Sequence, residues 1–197
     1  MSDTGGVELV PYLGGRDYVH GTTLFNLMTA RLSDATDMTF KIARRITGNR
    51  VRLEALNATT DDSSRYPCTM TWRRDGRPEA MGVIEHGPAD PSLRVPWDET
   101  AITRLARVEG TVLRASGLRA HSFIESVVAL NKHLLLARLG PAARLLFTRL
   151  DVPRLPKSVD ALVLTLRGSI ENRHFMSALE MDGAAGGRII FSLAAQP

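Results

Sequence analysis

Cysteine and long apolar stretches are both scarce in this sequence, and each scarcity removes a class of protein. Cys68 is the only cysteine among the 197 residues, which excludes an internal disulfide and a cysteine-based metal cluster. No apolar run reaches the roughly 18 residues that a membrane span requires. Residues 1–15 lack the basic and apolar regions of a secretory signal. We therefore expect a cytoplasmic protein with no membrane association.

Lysine is scarce as well. It occurs only at positions 41, 132 and 157, so arginine carries most of the positive charge behind the net charge of +4. A genome that favours arginine codons would account for this bias, and so would a basic surface that attracts phosphate groups or an acidic protein. The arginines are dispersed, without the aromatic-interleaved basic stripe or the zinc-finger spacing of nucleic-acid-binding proteins. We expect no nucleic-acid partner.

The signature motifs of several enzyme classes are also missing. The sequence contains no P-loop, dinucleotide-binding fingerprint, nucleophile elbow or zincin helix motif. No pair of histidine, cysteine or carboxylate residues has ligand spacing with a second pair to complete a zinc site. The sequence therefore predicts neither a metal nor a cofactor. Its composition, 44% hydrophobic and 23% charged, is that of an ordinary folded protein with enough length to bury a core.

The first half of the chain predicts one helix followed by four strands. Apolar residues recur at helical spacing over residues 22–32. Gly48-Asn49 and Asp75-Gly76 are typical hairpin turns. Each lies between two strand-like segments, 38–46 and 50–56 around the first turn and 68–74 and 80–85 around the second. Residues 86–96 are rich in proline and glycine, which indicates a linker.

The second half predicts the same order of elements. Asp98 and Glu99 suit the start of a short helix over residues 98–108. A longer helix is predicted over residues 122–139, because Gly140-Pro141 is a strong stop signal. Strands are predicted after it, at 143–151, 161–170, 175–181 and 188–193.

The two halves correspond element by element. His121 corresponds to His20, and Asp182-Gly183 between the last two strands corresponds to Asp75-Gly76. Each half is a helix followed by an antiparallel meander of about four strands. We therefore predict an α+β chain with two tandem halves, residues 1–90 and 91–197. The alternative is one undivided α+β domain.

Two short segments resemble proteins of the hotdog superfamily. Residues 18–32, YVHGTTLFNLMTARL, are similar to the His-Gly-Gly-x-Leu start of the central helix in hotdog thioesterases, with Thr22 in place of the second glycine after His20 and Gly21. In that family the backbone N–H groups at the helix start polarise the thioester carbonyl. Such N–H groups are unpaired in any helix and attract negative charge, and a glycine lets the substrate approach closely. The family's helix carboxylate is absent, because its position falls near Thr29.

The second segment, residues 121–140, is HSFIESVVALNKHLLLARLG. Its stretch from Ile124 to Val127 resembles the Ile-Glu-Ala-Met of hotdog hydroxyacyl thioester dehydratases, whose glutamate works opposite a histidine of the partner unit. Glu125 takes the place of that glutamate, while the proline-glycine pair that precedes it in the family is missing. Together the two resemblances imply a double hotdog, in which each half has an antiparallel sheet wrapped around a central helix and a substrate tunnel lies between the halves.

The resemblance implies an enzyme acting on acyl thioesters of coenzyme A or of acyl carrier protein, with a homodimer as a further expectation. His20 and Glu125 are the catalytic candidates, since a histidine and a carboxylate can serve as base and acid. Gly21, Thr22 and Asn131 are the substrate-binding candidates. Thioester hydrolysis is expected first. Dehydration or hydration of a 3-hydroxyacyl thioester, and a non-catalytic acyl-binding module, are the alternatives.

Overall fold

Buried and exposed residues alternate along most strand segments, and this alternation gives a sheet one face that packs into a core. The computed structural model describes residues 6–58 and 65–194 of the chain. The chain divides into two units, Met1–Trp97 and Asp98–Pro197. The expected boundary between residues 90 and 91 therefore falls inside the first unit.

The first unit contains one helix and an antiparallel sheet. Its elements are β1 (Val7–Leu9), β2 (Tyr12–Leu13), α1 (Gly21–Thr29), β3 (Thr36–Ile42), β4 (Arg50–Leu56), β5 (Cys68–Arg74), β6 (Arg77–Glu85) and β7 (Arg94–Val95). Within this unit the strands of the sheet lie in the order β1-β4-β6-β5-β3, and every pair is antiparallel. The short strands β2 and β7 form a separate parallel pair.

Helix α1 packs its apolar side on this sheet. Leu24, Phe25 and Met28 are buried. The Phe25 ring meets the Phe40 ring of β3 edge-on, with 5.4 Å between the ring centroids, an arrangement that aromatic pairs favour. Met28 Sδ lies 4.0 Å from Cys68 Sγ of β5. The apolar stripe that predicted this helix is therefore the surface that docks it.

Only one of the two hairpins predicted in the first unit forms. Asp75-Gly76 joins β5 to β6, with φ angles of 50° and 74°, as the favoured two-residue turn requires. The predicted Gly48-Asn49 hairpin is wrong, since β3 pairs with β5 and β4 pairs with β6. The physical reason lies in Asn49, whose side chain is buried and hydrogen-bonded to Asp90 instead of facing solvent in a turn.

Residues 86–96, predicted as a linker, belong to the first unit. Tyr12 of β2 pairs with Arg94 of β7. The Arg94 guanidinium lies 5.2 Å from the centroid of the Tyr12 ring, and it donates to the carbonyls of Gly14 and Arg16 at 3.2 and 2.6 Å. Side-chain contacts of one arginine thus hold this segment in place, and a proline-rich composition does not reveal them.

The second unit also contains one long helix and an antiparallel sheet. Its elements are α2 (Thr100–Thr103), β8 (Ala106–Glu109), β9 (Val112–Ser116), a 3-10 helix (Leu118–Ala120), α3 (Phe123–Leu139), β10 (Leu145–Arg154), β11 (Ala161–Ile170), β12 (His174–Met181) and β13 (Ala184–Leu193). Within this unit the strand order is β10-β13-β12-β11-β9-β8. The four strands predicted after the long helix are confirmed. Asp182-Gly183 turns β12 into β13 with φ angles of 48° and 83°.

Helix α3 begins and ends where the sequence predicts. The hydroxyl of Ser122, its N-cap, accepts a hydrogen bond from the Glu125 amide at 3.3 Å, which satisfies one unpaired donor of the first turn. Gly140 ends the helix with a φ of 93°. The helix contacts β8, β9, β11 and β13 of its own unit. Its buried residues are Ile124, Ser126, Val127, Val128, Ala129, Leu130, Asn131, Leu134 and Leu135.

The helix predicted over residues 98–108 is wrong beyond its first turn. Its start is as expected, because the Asp98 carboxylate accepts from the Thr100 hydroxyl and from the Thr100 amide, and these hydrogen bonds lower the pKa of Asp98. The helix ends at Thr103, however, and the chain turns at Gly110 from β8 into β9. Because β9 pairs with β11, tertiary pairing overrides the local helical preference.

Candidate functional site

His20 is the residue that starts helix α1. It has an extended backbone, with φ −73° and ψ 143°, and its side chain does not cap the helix. Its Nδ1 instead lies 2.8 Å from the hydroxyl Oγ1 of Thr22. Thr22 is fully buried while His20 is half-buried. This hydrogen bond fixes the orientation of the imidazole ring on a well-packed support.

The first amides of α1 lack hydrogen-bond partners in the part of the chain that the structure describes. The Leu24 amide donates to the His20 carbonyl at 3.2 Å, which closes the first helical turn. Among the described residues, none accepts a hydrogen bond from the amide of Gly21 or Thr22. Unpaired N–H groups and the helix dipole together favour negative charge at this place. A carbonyl oxygen that gains negative charge during a reaction would be stabilised there.

Trp97 lies beside His20 and was not among the sequence candidates. The two rings are tilted by 43° with their centroids 5.9 Å apart. Gly14 lies close to Trp97 and has a positive φ of 58°, and its amide donates to the Val95 carbonyl at 2.9 Å. Trp97 follows the segment interpreted as a linker, so no local signal marked it.

Thr29, at the position where the resemblance led us to look for a carboxylate, uses its hydroxyl within the helix. Thr29 Oγ1 donates to the Phe25 carbonyl at 2.9 Å. Such back-bonding is typical of threonine inside helices. The first unit therefore offers a histidine and helix amides near Gly21 but no carboxylate on the turn that ends α1.

Glu125 stands in the first turn of α3 and is half-buried. Its backbone amide is capped by Ser122, and no described residue forms an ion pair with its carboxylate. Lys132, two turns later, pairs instead with Glu99 at 2.7 Å. The carboxylate of Glu125 is thus left available to a ligand or to water.

Asn131 is fully buried, and neither its carboxamide nitrogen nor its carboxamide oxygen has a hydrogen-bond partner among the described residues. The hydroxyls of Ser126 on α3 and Ser177 on β12 are buried and unpaired in the same way. An unpaired buried polar group costs about 1–3 kcal/mol, so such groups are rare and call for a partner. Sequence reasoning found Asn131 but missed both serines, because a serine within an apolar stretch looks like a small core residue.

The structure groups these candidates by unit. His20, Gly21 and Thr22 lie together at the start of α1. Glu125 and Asn131 share α3, but six residues of helix turn their side chains about 120° apart and about 9 Å along the axis. The two side chains therefore point away from α3 in different directions.

Neither a metal site nor a membrane span is found in the part of the chain that the structure describes. Within residues 6–58 and 65–194, no three histidine, cysteine, aspartate or glutamate residues are grouped so that they could hold a metal ion. No helix in those ranges is long and apolar enough to cross a membrane.

No protein-family model and no curated protein matches the chain. Among solved structures, a protein described as a thioesterase II from Thermobifida fusca is 12% identical, with a TM-score of 0.49 over 98% of this chain and 97% of that one. The dehydratase domain of PpsC from Mycobacterium tuberculosis, solved with C12:1-CoA, is 12% identical, with a TM-score of 0.48 over 90% and 85%.

A hot dog fold protein from Alicyclobacillus acidocaldarius is also similar, at 13% identity and a TM-score of 0.42 over 96% of this chain and 90% of that one. The similar structures are thus named as thioesterases or dehydratase domains, and one of them as a hot dog fold protein. Matches at these identities and TM-scores leave the reaction open.

Proposed function

We propose that this protein binds a small acyl thioester and hydrolyses it. The observation that carries the proposal is the start of α1, where the amides of Gly21 and Thr22 have no acceptor among the described residues beside a half-buried, oriented His20. Thioester hydrolysis passes through a tetrahedral oxyanion, and helix N–H groups stabilise such an anion. The glycine leaves room for the carbonyl to reach the backbone.

The remaining steps need a water molecule and a proton carrier. In our proposal the Glu125 carboxylate takes a proton from water, whose oxygen attacks the carbonyl carbon, and the carbon–sulfur bond then breaks. The leaving thiolate receives a proton from His20. Asn131 orients the thioester carbonyl, because its buried carboxamide has donor and acceptor atoms without a partner among the described residues. We also propose that each unit is one hotdog, so that the chain is a tandem double hotdog.

Two other functions use the same residues. Dehydration of a 3-hydroxyacyl thioester needs a base at the α-carbon and an acid at the β-hydroxyl, roles that His20 and Glu125 could fill. Dehydration is favoured by the position of Glu125 in a helix stretch that resembles that of the dehydratases. A non-catalytic acyl-binding protein is the third candidate. The lack of a carboxylate at position 29 favours this binding function. The residue there is Thr29, whose hydroxyl donates to the Phe25 carbonyl.

One assay separates the three functions. Saturated acyl-CoA and 3-hydroxyacyl-CoA of several chain lengths are incubated side by side with the protein, and free thiol and enoyl absorbance are followed together. Thiol release from the saturated substrate supports hydrolysis, and enoyl absorbance without thiol supports dehydration. If neither signal appears while acyl-CoA raises the melting temperature through binding to the native state, the protein is a binding module and the proposed reaction is wrong.

A further inference from the structure

Two adjacent arginines lie on the loop next to the start of α1. Arg44 and Arg45 follow β3 and are both exposed. The Ile46 carbonyl accepts a hydrogen bond from the Val19 amide at 2.8 Å, which joins this loop to the residue that precedes His20. The loop that carries the two arginines is therefore attached, through one backbone hydrogen bond, to the segment that leads into the candidate site of the first unit.

The Arg45 side chain is supported by an aromatic ring. Its Cζ lies 4.9 Å from the centroid of the Tyr18 ring, a distance at which a guanidinium is attracted to the ring face. A guanidinium held against a ring still has N–H donors for other acceptors. Because Arg45 is exposed, these donors can bind an acceptor that arrives from solvent.

Neither arginine has an anionic partner among the described residues. Arg44 donates to the Arg65 carbonyl at 3.4 Å, and no described carboxylate lies within ion-pair distance of Arg44 or Arg45. Other arginines of this unit are paired, such as Arg31 with Glu8 at 2.6 Å. Two neighbouring positive charges without a counter-ion raise the local potential and attract anions.

We propose that Arg44 and Arg45 bind the phosphate groups of coenzyme A, the thiol carrier of the substrate. Phosphate matches the forked donors of arginine, and the nucleotide phosphates of coenzyme A lie at the far end of the molecule from its sulfur. The exposed arginines would hold that end, while the half-buried His20 meets the thioester. This inference rests on the proposed function, which identifies the ligand. It adds a second place where the protein contacts that ligand.

The test measures binding of coenzyme A itself, without turnover. Calorimetry compares the wild-type protein with Arg44→Gln/Arg45→Gln, for coenzyme A, dephospho-coenzyme A and pantetheine. We expect the double variant to bind coenzyme A at least about tenfold more weakly, as loss of a charge-assisted hydrogen bond implies, and to bind pantetheine unchanged. Its affinity for coenzyme A should also depend less on salt. Arg45→Lys, which keeps the charge, should bind coenzyme A more tightly than the double variant does.

Arg114→Gln is the matched control, because Arg114 is exposed on β9 and carries the same charge; its affinity for coenzyme A should be unchanged. Absence of coenzyme A binding by the wild type, unchanged binding by the double variant, or an equal loss for pantetheine would each overturn the proposal. The result is distinguishable from failure of the proposed reaction. Arginine-dependent binding without thiol release rejects hydrolysis alone, whereas hydrolysis that is insensitive to both substitutions rejects the phosphate contact alone.

Discussion

The side chain of Asn49 clamps the backbone of Asp90. Its Nδ2 donates to the Asp90 carbonyl at 2.8 Å, and its Oδ1 accepts from the Asp90 amide at 2.7 Å. Asn49 is fully buried, and its own carbonyl accepts from the Val10 amide at 2.9 Å. One residue thus joins three segments of the first unit, including the segment whose composition indicates a linker.

Asn49→Ala should destabilise the protein by about 2–4 kcal/mol, because two hydrogen bonds are lost and the backbone groups of Asp90 are left without partners. The measurement is the free energy of unfolding in urea. Asn26→Ala is the control, since Asn26 is exposed on α1 and alanine favours a helix; it should be neutral or slightly stabilising. Equal stability of Asn49→Ala and wild type would show that the clamp contributes nothing.

Gly82→Ala should cost about 1–3 kcal/mol, the usual penalty for overpacking a core. A Cβ at Gly82 would stand 2.4 Å from Cδ1 of Tyr66, and the hydrogen bond from the Tyr66 hydroxyl to Glu54 at 3.1 Å holds that ring in place. Gly168→Ala is the control, because nothing lies within 4 Å of its Cβ position. If the melting temperature falls equally in both variants, contact with the Tyr66 ring is not the cause of the lost stability.

Asn131→Leu should raise stability and lower activity together. Replacing a buried carboxamide that has no described partner with an apolar group of similar size removes a desolvation cost, and we expect a gain of about 1 kcal/mol. If Asn131 orients the substrate, thiol release should fall at least about tenfold, as loss of one hydrogen bond implies. Asn26→Leu, on the surface, is the matched control for both measurements. A fall in stability would mean that the carboxamide has a partner after all.

His20→Ala should lower the catalytic rate by about 10²–10⁴-fold, the usual contribution of an acid–base group. The melting temperature should fall only slightly, by the equivalent of about 1–3 kcal/mol, because the substitution leaves the buried Thr22 hydroxyl without its His20 partner but removes no helix cap. His86→Ala, at an exposed histidine of the same unit, should change neither. Parallel loss of fold and activity in His20→Ala would assign His20 a structural role only.

Cys68 should be inert to thiol reagents in the native protein. It is fully buried, and burial raises its pKa well above the usual value, so the reactive thiolate is scarce. As the only cysteine, it gives a clean signal with a chromogenic disulfide at neutral pH. We expect no labelling until denaturant unfolds the first unit, and one equivalent afterwards. Rapid labelling in buffer would contradict the packing of Cys68 against Met28.

Several elements could be predicted from the sequence because their causes are local. The turns at Asp75-Gly76 and Asp182-Gly183 require positive φ angles, and the two residues of each turn favour these angles by themselves. Ser122 and Gly140 delimit α3 through hydrogen bonds and backbone conformation within a few residues. The position of His20 directly before α1 could be predicted for the same reason. Its contact with Trp97 could not, because the two residues are 77 positions apart and no pattern near either one indicates the other.

The sequence by itself determined the helices α1 and α3, the strands after each, and the two-residue turns, because periodicity, caps and turn chemistry act over a few residues. Only the tertiary structure decided which strands pair, where the first unit ends and which polar groups are left without partners. Those outcomes depend on residues far apart in the chain, as when Asn49 bonds to Asp90 and so prevents the hairpin that Gly48-Asn49 favours. The availability of the Asn131 carboxamide is decided in the same way, since it depends on every neighbour that could have paired with it and does not.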